Sequence, residues 1–209
     1  MARTTLSALA LSFSMTLGFA PLEAQESAPD AFPALSSDTL QQMQQAAETG
    51  NVAKQFELAT RYLNGDGVPV DNFEALRWFK LAADQGSANA QYNIAVMYLN
   101  GIGVIRDPAE AVQWFVAAAE NGDTAAQFTL AVLLFNGQLD VPQNLPHAYK
   151  WFLLAGAAGH QTAAANAVLI QELLPAETAA AMQADALEWI DDFQQRNNRE
   201  STPNVDQVP

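Results

Sequence analysis

The side chains best suited to chemistry in this sequence are few and poorly spaced for it. Two histidines, His147 and His160, stand without a second ligand four residues on. They also lack the His-Glu-x-x-His pattern that sets two imidazoles on one helix face around a zinc ion. Both are read as helix-end or surface residues rather than as acid–base or metal-binding groups. The neighbouring acids Asp191 and Asp192 read as a solvated helix face. No Gly-x-Ser-x-Gly nucleophile turn occurs. Gly65-Asp66-Gly67 and Gly101-Ile102-Gly103 resemble phosphate-cradling loops only on the surface, because each joins two helical stretches and no strand precedes it. The chain has no cysteine, which removes thiol catalysis, thiolate metal sites and disulfide chemistry. The expectation is therefore no catalytic residue, no metal and no cofactor.

What the sequence does contain is a repeat. Gly50, Gly86 and Gly122 are 36 residues apart, and Gly159 follows after 37. Gly65, Gly101 and Gly137 form a second ladder at 36. Trp78-Phe79, Trp114-Phe115 and Trp151-Phe152 form a third, at 36 and then 37. The single-residue slip falls between Gly137 and Ala148. Three ladders in one phase define a unit of two helices.

The ends of those helices are marked. One helix begins near Ser87 or Asp123, whose side chains can accept a free backbone N–H, and runs to the Asn-Gly pairs at 100–101 and 136–137. The other begins at Asp71 or Asp107, each with a Glu three residues on, a variant of the capping box. It ends at Gly86 or Gly122. In that second helix Ala75, Trp78, Phe79 and Ala82 recur as Ala111, Trp114, Phe115 and Ala118, then as Ala148, Trp151, Phe152 and Ala155. These i, i+3, i+4, i+7 positions make one apolar face. A lone helix pair cannot bury such a face, so neighbouring pairs must stack.

The string Ala90-Gln91-Tyr92-Asn93-Ile94-Ala95, with Tyr98, Gly101-Ile102-Gly103-Val104, Asp107, Ala111, Trp114-Phe115 and Ala118-Ala119-Glu120-Asn121-Gly122, resembles the Sel-1-like repeat, a relative of the tetratricopeptide repeat. The resemblance covers about residues 51–159 and implies an all-α fold, a right-handed α-solenoid of helix-turn-helix units. The third repeat departs from the pattern: Leu139 or Asp140 stands where the loop's second glycine belongs. Residues 38–50 read as an N-terminal capping helix, and 160–196 as a degenerate repeat followed by a capping helix. That helix opens at Pro175 and ends near Gln195, with Ala184, Leu187, Trp189 and Phe193 covering the last face. Residues 25–37 are expected to be a disordered linker and 197–209 a disordered tail.

In the superhelix implied by the resemblance, the first helix of each pair lines the concave face. Helical phase then puts Phe56, Tyr92 and Phe128 in one column, with Glu57, Asn93 and Thr129 beside it. These six are the candidate partner-binding residues, suited to an extended peptide or a helix. Packing between helices is the competing reading of the aromatic column.

The chain start reads as an export signal: Arg3, an apolar run from about Leu6 to Ala20, and cleavage expected after Ala24. The run is short for a membrane span of about 20 residues. The expected location is periplasmic or secreted, and the expected state monomeric. With 9 basic and 23 acidic residues the net charge is −14, and loss of Arg3 and Glu23 with the leader leaves it unchanged. Nucleic acid and anionic membrane surfaces are thereby disfavoured as partners. The expected function is a protein–protein interaction scaffold. As in some exported proteins of the family it resembles, the partner would be an envelope complex or a sensor kinase. Two alternatives are a β-lactam-binding enzyme, as described for Cys-rich exported relatives, and a cell-wall peptide or glycan binder.

Overall fold

A computed structural model describes residues 36–201. The expected leader and its cleavage point, with the remaining residues up to 35 and those beyond 201, lie outside the described residues. Among the described residues there are nine helices and no strand. They are α1 Ser37–Glu48, α2 Val52–Asn64, α3 Asn72–Ala83, α4 Ala88–Asn100, α5 Pro108–Glu120, α6 Thr124–Asn136, α7 Leu145–Ala157, α8 Gln161–Gln171 and α9 Ala176–Ser201. Each helix from α1 to α7 packs on the next, the signature of an α-solenoid built from neighbour contacts.

The local chemistry explains the alternation. Helices α2, α4 and α6 start on Asn51, Ser87 and Asp123, whose side chains accept from the backbone N–H of Lys54, Ala90 and Ala126. They end on glycines in the left-handed region, Gly65, Gly101 and Gly137. Helices α3 and α5 start on Asp71 and Asp107, each accepting two backbone N–H bonds. The expected reciprocal half of the capping box is not made. The Asp71 N–H donates to the Tyr62 carbonyl and the Asp107 N–H to the Tyr98 carbonyl, both at 2.9 Å. The donor is already used, so the glutamates do other work: Glu74 pairs with Arg77 at 2.9 Å, and Glu110 accepts from Trp114 Nε1 at 3.0 Å.

The core runs along the array between the two layers of helices. Trp78, Phe79, Phe115 and Phe152 are buried, as are Leu58 and Ile94. The alanines flanking the aromatics, Ala75 and Ala82 with their repeats Ala111, Ala118, Ala148 and Ala155, are fully covered and let neighbouring backbones approach. Arg77 stacks over Trp78 at 4.0 Å. The loops close tightly as well: a Cβ on Gly103 would sit 2.5 Å from the Asn72 carbonyl oxygen, at the start of α3. The third loop solves the same turn with an extra residue. Leu139 (φ 54°) and Asp140 (φ 61°) both occupy the left-handed region, a strained choice of order 1 kcal/mol or more per residue.

The C-terminal end differs from the sequence expectation. Helix α9 continues to Ser201 instead of stopping near Gln195, so Asn197 and Asn198 are helical. Leu187 faces solvent and Ala184 is exposed, while Ala179 and Ala186 are buried. α9 packs mainly on α7. Asp185 pairs with Lys150 at 2.9 Å. The buried Tyr149 hydroxyl donates to Gln171 at 3.2 Å and accepts from Gln183 at 2.7 Å. No helix among the described residues is long and apolar enough to cross a membrane.

Candidate partner-binding face

The six candidate residues lie on α2, α4 and α6, at equivalent positions of three consecutive repeats. Each aromatic is half-buried and meets the phenylalanine of the second helix in its own repeat edge-on. Phe56 meets Phe79 at 5.5 Å, Tyr92 meets Phe115 at 5.6 Å, and Phe128 meets Phe152 at 5.8 Å. Such contacts hold a ring rigid. Phe128 also stacks on His160 at 4.2 Å. His160 in turn caps α8, its Nδ1 accepting from the Ala163 N–H at 3.1 Å.

The polar neighbours divide by role. Glu57 is bracketed by Lys54 at 2.8 Å and Arg61 at 3.0 Å. Its pKa is lowered, first by the Lys54 hydrogen bond, with Arg61 adding to it against the opposing effect of burial. Asn93 donates to the Asn89 carbonyl one turn back at 2.7 Å. Thr129 turns inward, only 5% exposed, and hydrogen-bonds Tyr92 of the preceding repeat. It reaches a partner only through the ring it holds. Burial, and then the nearby Asp123 carboxylate, push the Tyr92 hydroxyl pKa up. Asp123 itself is raised by burial against the hydrogen bonds it accepts as the α6 cap.

A second ladder escaped the sequence reading. Gln55 and Gln91 are buried, at 3% and 6% exposure, and each stitches two second-layer helix ends together. Gln55 donates to the Ala47 carbonyl at 2.9 Å and accepts from Gln85 at 2.8 Å. Gln91 donates to the Ala83 carbonyl at 3.3 Å and accepts from Asn121 at 2.9 Å. Gln127 repeats the first bond, to the Ala119 carbonyl at 3.2 Å. The signal was available, since Gln55, Gln91 and Gln127 keep the 36-residue spacing. Polar residues on a core face are the informative ones.

Among the described residues no group of three or more His, Cys, Asp or Glu is placed to hold a metal ion. His147 sits at the start of α7, its Nδ1 3.0 Å from the Asn144 cap. Neither His147 nor His160 has a carboxylate partner for acid–base work among the hydrogen bonds it makes.

A family model described as the Sel1 repeat matches residues 55–87, 88–123 and 124–160, half of the chain. Among solved structures, the Sel1 repeat protein from Oxalobacter formigenes is 34% identical. The match covers 62% of this chain and 96% of that one, with a TM-score of 0.57. The structure of c5321, a protective antigen present in uropathogenic Escherichia coli strains and displaying an SLR fold, is 23% identical with a TM-score of 0.53. That match covers 81% of this chain but 45% of the antigen, and at this identity it speaks to the fold alone. No curated protein matches. Sel1 repeats generally mediate protein–protein interaction, and their fold is typically a non-catalytic interaction scaffold. With three matches in the phase of the glycine and Trp-Phe ladders, the chain belongs to the Sel1 repeat family.

Proposed function

We propose that this protein is an exported interaction scaffold that holds a partner protein on the face built by α2, α4 and α6. Phe56, Tyr92 and Phe128 form the ridge of that face, Glu57 and Asn93 give it polar selectivity, and Thr129 positions Tyr92. The observation that carries the reading is the regular aromatic column. Three half-buried rings, each braced by a core phenylalanine, recur on consecutive repeats. A braced ring loses little freedom when a peptide or helix lies across it. The proposed organisation is a leader to Ala24, a linker to residue 37, α1 as the N-terminal cap, three repeats over 51–159, and α8 with α9 as the C-terminal cap. The monomer is the working unit. The partner is an envelope complex or the outer domain of a sensor kinase, reached in the periplasm or after secretion.

A photo-crosslinking residue placed at Asn93 in the full chain tests the reading in its native cell. One discrete partner should be trapped from Asn93 and not from Gln113, an exposed position on α5. Equal trapping from both positions, or none from Asn93, contradicts it. Sequencing the N-terminus of the exported product should give Gln25 first; a retained leader would overturn the location.

A further inference from the structure

The array changes character at its C-terminal end. Residue 158 is alanine where Gln85 and Asn121 complete the earlier amide stitches, and among the described residues the buried Gln127 Oε1 has no hydrogen-bond partner. Helix α8 departs further. In the three complete units Ala59, Ala95 and Ala131 are fully covered. Each stands three residues after a column aromatic that meets the second helix of its own repeat, and residues three apart share a helix face. The equivalent of Ala131 on α8 is Val168, which is 61% exposed, and Leu169 and Leu173 are exposed as well. A groove of about 190 Å³ lies beside Val168, lined by Ala164 of α8 and by Leu153, Gly156 and Ala157 of α7. Gln161 to Gln171 contains no charged residue, like the interior helices α4 and α6. The end of a repeat array needs a polar outer face, and α1 supplies one with exposed Gln41, Gln42, Gln45 and Glu48. Helix α8 instead has the composition of an interior helix.

The chain carries a helix of matching pattern but holds it elsewhere. Ala186 and Trp189 fall 38 residues after Ala148 and Trp151, which makes α9 a fourth rung of the Trp ladder. The other second helices follow links of seven residues (65–71 and 101–107) or eight (137–144). Only four residues, 172–175, join α8 to α9. The stretch from Ala176, equivalent to the loop of the third unit, is alanine-rich and helical. Helix α9 thus lies on α7, where Gln183, Asp185 and Trp189 engage Tyr149, Lys150 and Trp151. It caps that flank and leaves Val168 and Leu169 in solvent.

We propose that the open face of α8 binds an amphipathic helix of a partner protein, set in the position of a fourth second helix. Its apolar face carries an aromatic pair flanked by small residues, the pattern of Ala75, Trp78, Phe79 and Ala82. The contact continues the interface already made by α3 on α2, α5 on α4 and α7 on α6. Ala165 stands where Phe128 supplies a ring in the third unit, so the bulk has to come from the incoming helix. The equally alanine-rich α8 of a second copy does not bring it. The uncharged groove calls for an apolar inner face, and the net charge of −14 favours basic residues on the outer one. This surface is additional to the face built by α2, α4 and α6, and its test is independent of trapping from Asn93.

The test uses a dye-labelled peptide of residues 71–85, the α3 sequence with its cap, titrated with the full chain and followed by anisotropy and by the Val168 and Leu169 methyl signals. Binding should saturate and shift both methyls. Val168→Glu, at an exposed position, should weaken it about tenfold or more by setting a charge against an apolar face, with the melting temperature unchanged. Leu187→Glu, on the exposed side of α9, should leave it unchanged, and a peptide carrying Trp78→Ser and Phe79→Ser should not bind. Absence of saturable binding, equal binding of the serine peptide, or equal effects of Val168→Glu and Leu187→Glu would overturn the proposal. So would a dimer in sedimentation that Val168→Glu dissolves, which would give the face to a second copy.

Discussion

The first two seams of the array and the third use the same helices in the same phase, yet they are closed by different means. At the first two, a buried glutamine bridges consecutive second-layer helix ends. At the third, the bridge stops at Ala119, and α9 covers the gap with Trp189 and Phe193. The loop before α7 is also irregular, with Leu139 and Asp140 both left-handed. The difference shows that a repeat protein can keep its backbone register while exchanging a polar tie for an aromatic roof. Directional bonds hold the first two seams; area and shape hold the third.

The largest expected effect separates the two kinds of closure by their cores. Phe115→Ala, at a fully buried position, should cost about 3–5 kcal/mol in chemical denaturation. Phe193→Ala, on the half-buried roof, should cost about 1–2 kcal/mol, in line with the smaller area it covers. Equal losses would mean that α9 is as integral as the repeats.

Next come the glutamines. Gln91→Leu leaves the Asn121 amide and the Ala83 carbonyl unpaired and should cost about 1–3 kcal/mol. Gln127→Leu forfeits a single bond and relieves an unpartnered oxygen, so its cost should be about 1 kcal/mol smaller. Ala158→Asn should move the other way, gaining about 1 kcal/mol by rebuilding the missing rung. A loss on that substitution would show that the third seam cannot be closed as the others are.

The smallest effect is electrostatic and sits at the cap of α6. Burial raises the Asp123 pKa, so the folded chain holds that proton more tightly than the unfolded chain does. Stability from this group therefore falls as pH rises from the ordinary carboxylate range through the raised value, and stays lower above it. Asp123→Asn keeps a cap of equal quality and should remove that fall. Melting temperatures in acid and at neutral pH should converge relative to the wild type.

The helices were legible because their signals are local. Asn-Gly pairs, Asp caps and the Trp-Phe ladder each act within one turn or one repeat, and the helix ends follow them closely. The capping boxes misled because their backbone donors are taken by carbonyls of Tyr62 and Tyr98, contacts that a four-residue motif does not encode. The path of α9 was hidden for a similar reason. Its apolar residues do not share one face, and its docking depends on Gly122, some seventy residues earlier in the chain. The aromatic column was legible as a column, but its bracing by Phe79, Phe115 and Phe152 needed the second layer in place. The glutamine ladder had the right period and was passed over because glutamine is ordinarily a surface residue.

Native-state hydrogen exchange on the full chain tests the contrast between stitched and open seams most directly. The last turn of α7 and helix α8 should open at a free energy about 1 kcal/mol below that of α3 to α5, and Ala158→Asn should raise it toward the value of the other seams. Uniform protection across all three seams, unchanged by Ala158→Asn, would contradict the account.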